Sequence, residues 1–321
     1  MNQCSISIII TTINRASLLR ETLEALDRQT ASVSEVIVID DGGTDNSKEI
    51  TESFGSSYHY YKQNNSGVQS ARNLGILKSK GNWIAFLDDD DIWEPNRLEI
   101  IKKIVTIESI DLITSDFSIF QGDEIIERSF FSKHAKYLPA FWKNLERKNQ
   151  ELYSVFDGIP PIQLFPEYPF WGATLVLSKK KIQNIGGWDV TVRGIPSEDL
   201  DFVFRALRGT RFALIWEPTI RYRSHSGNTS RDSVHKLLGR VEIAKRLIKK
   251  ERLNDYEVNF LTDFINKSQE EALWSYFRRK DYKLVLNLSR TMDSKASSFS
   301  IKIKVAISYI LLNLKILFSP N

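Results

Sequence analysis

One cysteine, Cys4, stands among 321 residues, so no internal disulfide can form, which suits a reducing compartment. No uninterrupted run of 18 apolar residues occurs, so nothing reads as a clear transmembrane helix. The nearest approach is Ile301 to Phe318. The start of the chain lacks a basic opening, a long apolar core and a cleavage site, so it does not read as a signal peptide. Neither G-x-x-x-x-G-K nor G-x-G-x-x-G is present, so there is no glycine-rich phosphate cradle. The net charge of +4 is too small to argue for nucleic acid, although basic residues gather in 236–252 and 278–304. Internal repeats and low-complexity tracts are absent, and the Met and Trp residues give no cofactor signal. What remains is an ordinary globular composition, 42% hydrophobic and 26% charged, long enough for one large domain or one domain with an appendage.

The chain alternates short apolar runs with helical periodicity. Ile6 to Thr11, Val36 to Ile39, Tyr58 to Tyr61, Trp83 to Leu87 and Asp111 to Ser115 read as strands. Trp83-Ile84-Ala85-Phe86-Leu87 is apolar throughout, the pattern of a strand buried on both faces. Helices between these strands imply right-handed crossovers and a mostly parallel sheet. Asn14 is placed to cap the first helix, and Asn46 with Glu49 has capping-box spacing for the second. Periodicity fades from Gln121 to about Pro169, a stretch rich in aromatics, with a helix expected over Leu138 to Asn149. A strand over Gly172 to Leu177, a helix over Glu198 to Leu207 and closing strands over 212–216 and 219–223 follow. From about Arg231 the pattern is helical. The expected organisation is an α/β catalytic domain over 1–230, in halves 1–115 and 116–230, and a helical C-terminal region over 231–321.

Three polar clusters follow strand ends: Thr11-Thr12-Ile13-Asn14, Asp40-Asp41 and Asp88 to Asp91. In a parallel sheet these ends share one edge, where open α/β sheets bind ligands. Four adjacent carboxylates repel, so a cation is their natural neutraliser, and oxygen donors suit Mg²⁺ or Mn²⁺. A solvated acidic turn is the plainer reading; the buried strand before the four, and Trp93, Pro95 and Arg97 after them, argue for a site. Asp40-Asp41-Gly42-Gly43 is also ordinary turn chemistry. Glu198-Asp199 at a helix start would equally complement the helix dipole. His59, His134 and His235 lie in motif-poor sequence and read as structural or surface residues, whereas His225 sits in a polar loop after the last strand.

Together Ser7 to Arg15, Glu35 to Asp45, Asn65 to Gly75 and Phe86 to Trp93 resemble the nucleotide-sugar domain of family-2 glycosyltransferases, the GT-A fold. The resemblance is good over roughly 5–100, fainter over 172–230 and absent from the C-terminal helices. Thr12-Ile13 stands where the family usually has a tyrosine, and Gly43 where it usually has serine. The resemblance implies an inverting, metal-dependent transfer from a nucleotide sugar, with UDP the expected nucleotide, to a hydroxyl of a growing glycan or lipid-linked acceptor. It implies that Thr11 and Asp41 contact base and ribose, with Asn14 beside them, and that Arg72 lies near the nucleotide or its phosphates. Asp88 would reach the ribose or, through water, the metal; Asp89 fills the variable slot; Asp90 ligates the metal, with His225 a further ligand or diphosphate contact. Asp199 would be the general base, with Glu198 next to it. Trp188 and Trp171 flank the acceptor side, either stacking on sugar rings or packing. Two other classes remain open on the residues: a nucleotidyltransferase, which would want a glycine- and lysine-rich loop where Thr11 to Arg15 stands, and a non-catalytic nucleotide- or sugar-binding module.

Ile301 to Phe318 is apolar but interrupted by Lys302, Lys304, Asn313 and Lys315. Eleven residues make close to three helical turns, so Lys304 aligns with Lys315 and Lys302 with Asn313 on one narrow polar side. Such a helix suits a bilayer interface, and equally suits packing on the protein or a homodimer. The expected location is the cytoplasm, with peripheral contact to the cytoplasmic membrane face.

Overall fold

The computed structural model describes residues 4–134, 145, 151–166, 169–225, 233–293 and 298–317, the last few of these (313–317) and His134 by backbone alone. Of the helix expected over 138–149, all but residue 145 lies outside this set. The chain divides into two compact units, residues 1–193 with 199–228, and residues 194–198 with 229–321.

In the first unit the parallel core is made by β1 (Ile6–Thr12), β2 (Glu35–Asp40), β3 (Tyr58–Lys62) and β4 (Trp83–Asp88), joined by α1 (Ala16–Asp27), α2 (Ser47–Ser53) and α3 (Val68–Lys78). Later elements are β5 (Ile92–Trp93), α4 (Arg97–Ile107), β6 (Leu112–Ser115), β7 (Ser118–Gln121), β8 (Glu124–Glu127) and α5 (Phe130–His134). Then come β9 (Tyr153–Phe156), β10 (Val176–Ser178), α6 (Lys179–Asn184), α7 (Asp199–Leu207), β11 (Phe212–Ile215) and β12 (Ile220–Arg223). The main sheet runs β3-β2-β1-β4-β10-β6-β11-β9, and a smaller one runs β5-β12-β7-β8. Only β10 and β9 oppose the parallel direction of the main sheet. Ile8, Ile10, Val36 to Ile39, Ile84 and Ala85 are fully buried, as apolar runs covered on both faces must be. Gly75 lets α3 approach β1 closely: a Cβ there would stand 2.5 Å from Ile9 Cγ2.

Several local expectations are corrected. Asn14 does not cap α1; it takes a left-handed φ of 52° and its side-chain oxygen accepts from Thr44 N at 2.7 Å. Asp45 does the capping instead, accepting from Ala16 N through Oδ2 at 2.8 Å and, through Oδ1, from Ser47 N and Oγ. A carboxylate thus serves both helix starts, and Asn46 makes no cap bond. The strand expected over 172–177 is a 3₁₀ turn, Gly172–Thr174, followed by β10. The turn forms because the Thr174 N–H and hydroxyl both bond Trp171 O. The two closing strands part company, β11 joining the main sheet and β12 the small one.

The second unit contains α8 (Ser233–Lys250), α9 (Asp255–Arg278), α10 (Tyr282–Ser289) and α11 (Phe299–Leu317). A capping box, Asn254 with Glu257, opens α9. Leu273, Val285 and Ile301 form a core cluster joining α9, α10 and α11.

Candidate active site

The ladder brings the strand-end clusters together. Thr11 pairs in register with Asp88 and Thr12 with Asp40, so the ends of β1, β2 and β4 form one acidic rim. Thr11 is half-buried there.

The four aspartates after β4 divide into distinct environments. Asp88 faces out and receives Arg72 Nη2 on Oδ1 at 2.9 Å. Arg15 Nη1 reaches Asp89 Oδ1 at 3.1 Å and Asp90 Oδ2 at 3.0 Å. Asp90 Oδ2 is also 2.9 Å from His225 Nε2. Asp91 points inward, accepting from Arg223 N at 3.1 Å. The turn is braced from behind: Thr22 Oγ1 donates to the carbonyls of Asp89 and Asp91, and Arg223 Nε to that of Asp90. Burial pushes the Asp89 carboxyl up to about 7; the nearby Thr12 hydroxyl and Arg15 draw it down, and its acidic neighbours add to the rise. Asp91 lies well above the usual carboxylate range, chiefly through burial and then the charges of Asp90 and Asp88. Asp89 Oδ2 and Thr12 Oγ1 are both buried, near enough for the hydroxyl to lower the carboxyl but outside hydrogen-bonding geometry with any partner. Arg15 was not foreseen as a site residue. Its only signal was a cation directly after Asn14, on the rim opposite four acids.

Beside this rim, Arg72 lies over Trp188, its guanidinium carbon 4.3 Å from the ring centre. Trp188 stacks in turn on Phe202, with centroids 4.0 Å apart and planes 5° apart. Asn73 holds the Trp188 backbone from both sides, accepting from its N–H at 2.9 Å and donating to its carbonyl at 2.8 Å. Trp188 is therefore buried beneath Arg72, and what it supports is that arginine rather than an exposed sugar platform. Gly172 sits against both; a Cβ there would lie 3.2 Å from the Trp188 ring and 3.4 Å from Arg72 Nη1. The Gly172 N–H donates to Asp199 Oδ2 at 3.1 Å. Asp88 is thus bonded to Arg72, and Asp199 to the Gly172 backbone, where a Cβ would meet both Arg72 and Trp188.

Asp41 is engaged by the loop before α3, accepting from Ser66 N and Gln63 Nε2 on Oδ1 and from Gly67 N on Oδ2. Asn14 is exposed. Glu198 is half-buried and ends the segment 194–198, which groups with the C-terminal unit. Among the described residues no three His, Cys, Asp or Glu side chains are gathered as a metal cage; Asp90 and His225 form a pair.

Residues 7–171 match the family described as glycosyl transferase family 2. A glycosyltransferase of Rickettsia typhi is 29% identical over 234 residues, 72% of this chain and 68% of that one. The cholesterol galactosyltransferase of Borreliella burgdorferi is 30% identical over 123 residues, 37% of this chain and 34% of its own. Among solved structures, residues 1–349 of TarS from S. aureus superpose with a TM-score of 0.62 at 15% identity, covering 95% of this chain and 89% of that one. The same TarS fragment in complex with UDP-GlcNAc gives 0.61 at 14% identity, with the same coverage. With the family match spanning more than half of its length, the chain belongs to glycosyl transferase family 2 and is a glycosyltransferase.

Proposed function

We propose that the protein transfers a sugar from a UDP-sugar to a hydroxyl of a glycan or lipid-linked acceptor, with inversion at the anomeric carbon, in polysaccharide or glycoconjugate synthesis. The observation that carries this reading is the pair of bonds Arg72–Asp88 and Gly172 N–H to Asp199, beside the strand-end rim. In this reading Asp199 and Arg72 work on the two sides of the transferred sugar. TarS complexes with UDP and with UDP-GlcNAc support a nucleotide-sugar donor.

In this reading Arg72 faces the diphosphate. A guanidinium is always charged and offers several donors in a plane, and the Trp188 ring lies beneath it. Asp199 accepts the acceptor's proton while the acceptor oxygen attacks the anomeric carbon. The bond from that carbon to the diphosphate breaks on the opposite face, and its electron pair stays on the leaving phosphate oxygen. The Gly172 N–H fixes one Asp199 oxygen, which orients the base before substrate arrives. Asp90 Oδ2 and His225 Nε2, 2.9 Å apart, fit two positions of a Mg²⁺ or Mn²⁺ shell. Such ions commonly take one or two protein ligands and complete their shell with phosphate oxygens and water. The orphaned Asp89 Oδ2 is a further buried acceptor in the same turn. Once bound, the ion would act as a Lewis acid on the diphosphate.

The test is turnover with a panel of UDP-sugars and acceptors, with Mn²⁺ and with excess chelator. Release of UDP only when an acceptor is present, and only with metal, supports the whole reading. Full activity in chelator removes the metal from it, and transfer of a nucleotidyl group instead of a sugar overturns it.

A further inference from the structure

Helix α11 turns its faces opposite to the sequence expectation. Lys304, counted there as part of the narrow polar side, is 8% exposed. Its ammonium lies 3.3 Å from the centre of the Trp274 ring and donates to Ser300 Oγ at 2.6 Å. Ile301 joins the Leu273 and Val285 cluster, Val305 packs on it, and Ser308 is fully buried. The inner face is therefore 301, 304, 305 and 308, one helical stripe. The outer face presents Phe299, Ile303, Ile307 and Ile310, exposed between 39% and 78%, with Tyr309 beside them. Large apolar side chains repeating every three or four residues make a continuous stripe, and an exposed stripe of this kind marks an interaction surface.

Charge indicates what the stripe meets. From residue 278 onward the chain carries nine Lys and Arg against two Asp. Arg278, Arg279, Lys280 and Lys283 are exposed in and just after the turn between α9 and α10, and Lys302 is exposed on α11. That turn directly follows Phe277, whose ring centre is 6.0 Å from Lys304 Nζ, so the basic cluster lies alongside α11. A second copy docking face to face would bring two like-charged rims together. An anionic bilayer offers what both features need, acyl chains for the stripe and phosphate headgroups for the rim. Trp274 and Tyr309, exposed aromatics with polar tips, suit the headgroup level. No described helix is long and apolar enough to cross a membrane, and α11 need only lie in its surface.

We infer that the outer face of α11, with the basic turn 278–283, docks on the surface of an anionic lipid bilayer. The experiment is flotation of the full chain with vesicles of phosphatidylcholine alone or containing phosphatidylglycerol. The protein floats with the anionic vesicles at low salt, less so at high salt, and not with phosphatidylcholine alone. Ile303→Asp with Ile307→Asp, at exposed positions, keeps the circular dichroism and unfolding midpoint and abolishes flotation. Arg278→Ala with Arg279→Ala lowers partitioning on the order of 25-fold, about fivefold per charge. The inference is overturned if the full chain stays soluble beside anionic vesicles at low salt. It is equally overturned if the double Asp variant floats undiminished. A third refutation is sedimentation showing a dimer, with no flotation, that the same variant converts to monomer.

Discussion

Asp89 should make the fold less stable than it would otherwise be, and the effect can be sized. Its residue is 3% exposed, one carboxylate oxygen has no partner, and its pKa is pushed from 3.8 to about 7. A carboxyl with a folded pKa above its unfolded one binds more protons folded than unfolded. The contribution of Asp89 to stability therefore falls as pH rises from about 4 to about 7, by about 4 kcal/mol for three pKa units. Asp89→Asn keeps the shape, removes the charge and gives Thr12 Oγ1 an amide donor nearby. Against this, Arg15 loses one of its two carboxylates, a part-exposed pair contributing about 1 kcal/mol. The variant is thus expected to be more stable than the parent by about 2–3 kcal/mol at pH 8 and nearly equal at pH 4. Urea unfolding across that range, without divalent metal, measures both. If Asp89→Asn is no more stable than the parent at pH 8, or its advantage does not grow between pH 4 and 8, the buried-charge account of this turn is wrong.

Three further outcomes follow from the same geometry. Asp90→Ala should fold normally, because β4 carries the packing, and lose roughly a thousandfold in rate, about 4 kcal/mol of transition-state stabilisation; near-parental turnover would contradict this. If Arg72 binds the diphosphate, Arg72→Lys loses the contact with Trp188 and the planar fork of donors, so calorimetry should show nucleotide-sugar binding weakened about tenfold with the fold intact. Gly75→Ala gains at most about 1 kcal/mol in helix propensity but drives a Cβ to within 2.5 Å of Ile9, an overpacking of about 1–3 kcal/mol, so thermal unfolding should show net destabilisation.

The parallel strands were legible because burial on both faces leaves unbroken apolar runs, as in Ile8 to Ile10 and Ile84 to Leu87. The acidic rim was legible because register puts strand ends together once the sheet is parallel. The hairpin of β7 and β8 was not, since Ile125 and Ile126 are both exposed and follow no inward-outward alternation. The caps were misassigned because Asp45 serves two helices from a loop between them, a tertiary arrangement that local spacing does not encode. Arg15 pairs with residues more than seventy positions away. Trp188 reads the same in sequence whether it faces a sugar or a phenylalanine. Lys304 was grouped with the polar side on charge alone; its ammonium instead lies over one face of Trp274, a contact that depends on how α11 packs on α9.

The central claim is that Asp199 is the base of a sugar transfer from a nucleotide donor bound at the strand-end rim. Asp199→Asn tests it when donor affinity and transfer rate are measured on the same preparation. Calorimetric titration with the UDP-sugar should give a dissociation constant close to the parent's. Transfer to acceptor should fall by a factor on the order of 10²–10⁴, the contribution of a positioned general base. Donor binding and transfer lost together, or transfer undiminished, would contradict the account.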